Sequence, residues 1–192
     1  ADSLGGMASV ANGTLQLTNG TADEASIGHV RFAPTRPLRA FVARFLLRVT
    51  PGGAGGSLSF HYGPPPHLTP HYATPPPHFT PPQDAYGVGL QVTLDATVAA
   101  HAVEVRLDGA IVWRGSLPSG ALHAAGDESI DVVTGVAPLP VAVRLEADTA
   151  GGVPLLTVTH GDLAYVAAMP LPGMRGRPGG AAAGEASWQF GF

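Results

Sequence analysis

The sequence predicts an all-β protein, an antiparallel β-sandwich of roughly ten or eleven short strands. Two observations lead to this fold class. First, the 192 residues include 26 glycines and 19 prolines, which is typical of short strands joined by turns and unlike a helical protein. Second, apolar residues recur at every second position in several segments, and no long segment has the helical period. At 45% apolar residues, the chain can form a core as one domain over 1–192.

The first predicted strand is the alternating segment Thr14–Thr18, which opens at Asn12-Gly13, a tight-turn signal. Asn19-Gly20 ends that strand. Asn12 and Asn19 each begin an Asn-Gly-Thr sequon, so both are candidate N-glycosylation sites if the chain enters a secretory pathway. The alternative is that Asn-Gly-Thr is ordinary hairpin sequence.

The segment Ala40–Tyr62 is the predicted centre of the fold. Phe41 and Phe45 fall on one face at period two, and Arg44 falls on the other. Residues 51–56 break the strand because proline lacks a donor and glycine permits positive φ. Alternation then resumes through Phe60. We therefore predict a two-stranded antiparallel unit with one apolar face, which a second sheet must cover.

A proline-rich insertion follows at Gly63–Pro82 and contains a near repeat of PPPH-x-TP. Consecutive prolines favour polyproline II, in which this length would span roughly 60 Å. We expect an arm that folds over the surface or contacts a neighbouring molecule. The residues assigned to this assembly arm are His61, Tyr62, Pro64, Pro65, Pro66, His71, Tyr72, Pro75, Pro76 and Pro77. Candidate O-glycosylation sites within it are Thr69, Thr74 and Thr80.

Later strands follow from the same alternation. His101–Asp108 is apolar at every second residue, and Asp108-Gly109 predicts a hairpin that returns through Trp113. The other predicted strands lie at Ile27–Phe32, Tyr86–Asp95, Ile130–Val132, Val141–Leu145, Val153–His160, Leu163–Val166 and Ser187–Phe192.

Composition excludes several classes of function. The net charge is −4 and the basic residues are ten scattered arginines, so nucleic acid is not an expected partner. The absence of cysteine excludes disulfides and thiol chemistry. The sequence has no apolar run of about 18 or more residues, so no membrane span is expected. The start at Ala1 and the abrupt end at Phe192 lead us to expect a piece of a longer chain.

Seven segments, in order, resemble the legume-type (L-type) lectin domain of the concanavalin A-like lectin/glucanase superfamily. They are Gly13–Thr18, Gly28–Phe32, Phe41–Phe45, Gly56–Gly63, Gly87–Asp95, Val103–Trp113 and Ser187–Phe192. The last two are similar to the family's V-x-V-x-x-x-G hairpin and W-x-F-G-F strand. The resemblance implies a jelly roll of two large antiparallel sheets and a carbohydrate-binding role.

The resemblance also implies a sugar site, placed at Gly55, Gly56, Ser57 and Asp95. Two family features are missing there. The family's Ala-Asp-Gly is replaced by Gly55-Gly56-Ser57, and Asp95 is not followed by the Asn and Asp that complete a calcium site. Calcium takes six to eight oxygens, so we expect no metal cofactor, calcium being the alternative. For Asp95 itself, the alternative is a strand-end turn residue.

Catalysis is not expected. The glucanase E-x-D-x-x-E strand is absent, and Glu104 and Asp108 are about 13 Å apart along one strand. The histidines of the arm lack the tight spacing of a zinc site.

Two functions remain open from the sequence. The first is a secreted or cell-surface carbohydrate-binding module whose partners are glycans or glycoproteins. The second is a structural glycoprotein subunit of an extracellular assembly, in which the proline-rich arm contacts copies of itself or other subunits.

Overall fold

The computed structural model describes residues 3–17, 28–33, 35, 38–47, 57–63, 89–97, 100–116, 139–147, 152–174 and 188–192. These residues form β-strands and one 3₁₀ turn at Pro172–Met174. The strands are β1 Ser3–Gly6, β2 Ser9–Ala11, β3 Thr14–Gln16, β4 Gly28–Arg31, β5 Phe41–Leu47, β6 Ser57–Gly63, β7 Leu90–Thr97, β8 Ala100–Leu107, β9 Ala110–Ser116, β10 Leu139–Glu146, β11 Leu155–His160, β12 Leu163–Pro170 and β13 Gln189–Gly191.

Two sheets form the sandwich. Within the described part of the chain, the larger has seven strands in the order β1-β4-β13-β6-β7-β8-β9, and the smaller has four in the order β12-β11-β10-β5. The strand pairs are antiparallel in both sheets, and β2 and β3 form a separate two-stranded hairpin. The predicted all-β antiparallel sandwich is confirmed. Among the described residues, no helix is long and apolar enough to cross a membrane.

The core lies between the two sheets and is built by period-two alternation. Val103, Val105 and Leu107 of β8 point inward, as do Val141, Val143 and Leu145 of β10. An aromatic cluster joins the sheets near β6. The ring of Tyr62 lies 4.7 Å from those of Phe41 and Phe190. Such aromatic pairs add about 0.5–1.5 kcal/mol beyond the area they bury.

The predicted two-stranded unit within 40–62 is wrong in its pairing. β5 pairs with β10 in the smaller sheet, whereas β6 pairs with β7 and β13 in the larger one. The two strands therefore face each other across the core, and the rings of Phe41 and Phe60 are 6.0 Å apart. Each strand has one apolar face, and burying both faces against each other satisfies the same pattern that suggested a hairpin.

The two tight turns that the sequence signalled are confirmed. Asn12 and Gly13 both have positive φ, 52° and 74°, between β2 and β3. Asp108 and Gly109 repeat this, with 51° and 80°, between β8 and β9. Positive φ at both central residues is the geometry of a type I′ hairpin, which explains the Asn-Gly and Asp-Gly sequences.

The last predicted strand is confirmed and occupies a central position. β13 lies between β4 and β6, so Phe190 and Phe192 reach the interior aromatic cluster. The chain's last strand and one of its first strands are thus neighbours in the larger sheet.

Candidate functional site

Mostly polar side chains occupy the outer face of the larger sheet over β6 to β9, with Ile111 exposed beside Arg106. They are the residues that alternate with the core positions, and the strand register places them in rows across the sheet. One row runs Ser59–Thr93–Glu104–Arg114. The next row runs Ser57–Asp95–Ala102–Ser116.

A shallow depression of about 240 Å³ lies over these two rows. We call it the Ala102 depression, because this small residue stands between larger polar neighbours and is only 7% exposed. Its lining residues are Ser57, Ser59, Thr93, Asp95, Ala102, Glu104, Arg106 and Arg114. Apart from Ala102, every one carries a hydrogen-bonding or charged group.

One side of the depression, on β6 and β7, carries hydroxyl groups and the Asp95 carboxylate. The Ser59 and Thr93 hydroxyl oxygens are 2.8 Å apart, on neighbouring strands. This hydrogen bond fixes the orientation of both side chains. Each hydroxyl still has capacity for a further hydrogen bond, because a hydroxyl offers one donor and two acceptor positions.

The other side is charged. Arg106 Nε lies 2.5 Å from Glu104 Oε1, and the Arg106 side chain also donates to the Gly109 carbonyl at 3.1 Å. These two side chains are 15% and 16% exposed, so they form a partly buried ion pair on the sheet. Arg114 is different: its Nε is 4.0 Å from Glu104 Oε2 and its side chain is 58% exposed.

The structure brings together the two described residues of the predicted sugar site. Ser57 on β6 is directly opposite Asp95 on β7, and both line the Ala102 depression. Gly55 and Gly56, the other two residues of that prediction, lie outside the described residues.

The structure corrects the predicted assembly arm at one residue, Tyr62. Tyr62 is fully buried in the core, and its hydroxyl accepts a hydrogen bond from the Leu38 amide. Burial raises the pKa of this phenol, and the Leu38 hydrogen bond opposes that rise. Tyr62 is therefore unavailable to a partner subunit. His61 lies on the opposite, outer face of β6. The remaining arm residues and Thr69, Thr74 and Thr80 lie outside the described residues.

Of the two sequon asparagines, Asn12 is among the residues that the structure describes and Asn19 is not. Asn12 is exposed at the tip of the β2–β3 turn, where its positive φ accounts for its presence as a turn residue. Asn19 lies outside the described residues, and glycosylation at either position stays a prediction.

The described residues do not fit a calcium ion. No group of three or more His, Cys, Asp or Glu side chains comes together among them. In the Ala102 depression, Asp95 faces a serine across the strands, and Glu104 is engaged by Arg106. Calcium needs six to eight oxygens, which this arrangement does not supply.

Six lining residues were not part of the predicted site: Ser59, Thr93, Ala102, Glu104, Arg106 and Arg114. The alternation in the sequence does place them on one side of their strands. It does not give the register between strands, which decides that Arg114 faces Glu104 and that Ala102 forms the floor beside Asp95.

Comparison with solved structures finds the same fold in legume lectins. Winged bean acidic lectin, solved with methyl-α-D-galactose, matches with a TM-score of 0.56 and 15% identity over 99% of this chain and 81% of its own. The metal-free form of lectin I-B4 from Griffonia simplicifolia matches with a TM-score of 0.53 and 17% identity, over 99% and 83%. Peanut lectin, solved with a nine-residue peptide, matches with a TM-score of 0.54 and 18% identity, over 100% and 82%.

No family model matches the chain, and no curated protein matches it. At these identities the structural likeness establishes the fold. The predicted jelly-roll sandwich of the L-type lectin kind is confirmed.

Proposed function

We propose that this chain, which has the fold of the legume lectins, is a carbohydrate-binding module that acts without a metal ion or catalysis. The observation that carries the proposal is the Ala102 depression, a polar hollow on the outer face of the larger sheet. We place the saccharide over Ala102, between the Ser59–Thr93 hydroxyls and the charged residues of β8 and β9. A secreted or cell-surface location is part of the same proposal.

The chemistry of the depression suits a saccharide. Sugar hydroxyls both donate and accept, and the lining offers hydroxyls that do both, carboxylates that accept and guanidinium groups that donate. Hydrogen bonds with a charged partner are roughly twice as strong as neutral ones. The volume of about 240 Å³ is below the ~300–1,000 Å³ typical of small-molecule pockets, so one or two sugar rings and weak affinity are expected.

Filling the depression tests the proposal. Ala102→Leu adds a branched side chain at the floor, which would occupy the space assigned to the sugar. The matched control is Ala142→Leu, because Ala142 has the corresponding outward position on β10 of the smaller sheet. Binding is first screened on an immobilised set of defined neutral and acidic oligosaccharides, and then measured for the best ligand by titration calorimetry.

We expect at least a tenfold loss of affinity for Ala102→Leu, about 1.4 kcal/mol, and no change for Ala142→Leu. The bound oligosaccharide should also be recovered uncleaved. If the wild-type chain binds none of the oligosaccharides, or if Ala102→Leu binds as well as the wild type, the proposal is wrong.

A further inference from the structure

Arg114 carries a positive charge that its neighbours leave largely uncompensated. Its one recorded polar contact among the described residues is the 4.0 Å approach to Glu104. That distance exceeds the 2.7–2.9 Å of a charge-assisted hydrogen bond. Arg114 lines the β9 side of the Ala102 depression, and β9 is the last strand of the larger sheet among the described residues.

Glu104 is held by a different arginine. Arg106 Nε donates a hydrogen bond to Glu104 Oε1 at 2.5 Å. Both of these side chains are less exposed than that of Arg114. The Glu104 charge is therefore balanced within the sheet, and Arg114 remains as a cation facing the depression.

Asp95 is the other carboxylate that lines the depression, on the opposite side from Arg114. It lies two strands from Arg114 and in the neighbouring row, which places their Cα atoms about 12 Å apart. At physiological ionic strength the screening length is about 8 Å, so the solvent-exposed part of their attraction is weakened. The depression thus has one side with hydroxyls and the Asp95 carboxylate and, at the β9 edge, a side with the Arg114 cation.

We propose that the Ala102 depression selects acidic saccharides, with the anionic substituent, a carboxylate or a sulfate, on Arg114. This inference rests on the proposed carbohydrate-binding function and adds the ligand class. The planar guanidinium presents paired N–H donors that match two oxygens of either group. The neutral part of the sugar lies over Ala102 toward Thr93.

Matched ligand pairs test the charge preference directly. One pair is a glucuronic acid disaccharide and its methyl ester, and the other is a galactose disaccharide with and without a sulfate group. Within each pair the sugar framework is constant and the negative charge changes. Affinities are measured for the wild-type chain at about 20 mM and 500 mM sodium chloride.

The variant is Arg114→Gln, which keeps a hydrogen-bonding side chain and removes the charge. Its control is Arg144→Gln on β10, because Arg144 has a similar exposure of 54% and a glutamate partner, Glu146, on the smaller sheet. Both variants change the net charge equally, so a general electrostatic effect would appear in both.

We expect the charged member of at least one pair to bind about three- to tenfold more tightly, with the preference falling at high salt. The pair that shows it identifies the anion as carboxylate or sulfate. Arg114→Gln should abolish the preference and Arg144→Gln should keep it.

If charged and neutral members bind equally, or if Arg114→Gln keeps the preference, this inference is wrong and the proposed function still stands. If no member of either pair binds and the wider oligosaccharide set also fails, the proposed function is wrong and this inference falls with it.

Discussion

The two faces of the larger sheet are formed by the same strands and differ in role. One face packs into the core, and the other carries the Ala102 depression. On β6 and β7, Phe60 and Val92 are each 2% exposed in the core, whereas Ser59 and Thr93, their immediate chain neighbours, line the Ala102 depression. A shift of one residue exchanges the two faces, because strand side chains alternate with period two. Along each of these strands, the residues that form the core thus alternate with the residues that form the candidate site.

This interleaving makes the two properties separable by mutation. An inward residue contacts both sheets, so its loss leaves a cavity and lowers the free energy of unfolding. An outward residue contacts its row neighbours and solvent, so its loss changes binding and leaves stability nearly constant.

The largest expected effect is on the inward side, at Tyr62. Its ring contacts Phe41 on the opposite sheet and Phe190 on β13, and its hydroxyl hydrogen-bonds to Leu38. Tyr62→Ala removes all three interactions, and we expect a loss of about 3–5 kcal/mol in the free energy of unfolding. Urea denaturation followed by circular dichroism measures it.

The matched outward variant is Thr93→Ala, which loses the hydrogen bond to Ser59. We expect a cost of about 1 kcal/mol or less there. Equal costs for the two variants would contradict the separation of the faces.

A second, smaller effect is expected at Gly89, just before β7. Its φ is +128°, and an added Cβ would lie 2.5 Å from the Tyr62 carbonyl oxygen and 2.7 Å from the Gly63 Cα. Both are backbone atoms of the neighbouring strand, so they cannot move without breaking the β6–β7 pairing. We expect Gly89→Ala to cost about 2–3 kcal/mol, again measured by urea denaturation.

Gly161 is the control for this position. Its φ is also positive, +57°, yet an added Cβ would meet nothing within 4 Å. Gly161→Ala should therefore show the cost of a left-handed backbone alone, about 1 kcal/mol, whereas Gly89 adds to its close contacts a φ outside that region. If the two alanine variants are equally stable, close backbone approach is not what requires Gly89.

Much of the fold could be predicted because alternation and turn chemistry are local. Val141, Val143 and Leu145 predicted the inward face of β10, and Asp108-Gly109 predicted the β8–β9 hairpin. The pairing of β5 with β6 was wrong because alternation reports which face is apolar and not which strand lies alongside. A connection that stays in one sheet and one that crosses to the other give the same local pattern.

The candidate site shows the same limit. The family resemblance selected Ser57 and Asp95, which the strand register does place opposite each other. Ala102 and Arg114 were missed because an alanine and an exposed arginine carry no local signal. Their contribution comes from cross-strand neighbours that are far apart in sequence, and it becomes visible once the rows are known.

The smallest expected effect concerns a polar residue on the inward side of the smaller sheet. His160 takes the next inward position of β11 after Leu156 and Val158, and it is 5% exposed. Its Nδ1 is 3.1 Å from the Tyr165 hydroxyl, and its Nε2 has no hydrogen-bond partner among the described residues. Burial lowers the pKa of His160 below its usual value.

A lowered pKa in the folded state gives a definite sign to the pH dependence. Above about pH 6.5, the usual histidine pKa, His160 is neutral in both the folded and the unfolded chain. Its burial therefore makes no pH-dependent contribution to stability there. As the pH falls from there through the folded-state pKa, the unfolded chain binds a proton that the folded chain does not, so stability is lost. One such group contributes at most about 1.4 kcal/mol per pH unit.

His160→Gln should remove this contribution. The free energy of unfolding is measured by urea denaturation at pH 7.5 and pH 5.5 for both proteins, and the drop between the two pH values should be smaller in the variant. Other histidines and carboxylates contribute equally to both, so the difference isolates position 160. An identical drop would mean that the inward face accommodates a charged histidine as readily as the outward face does, and the contrast between the two faces would then rest on packing alone.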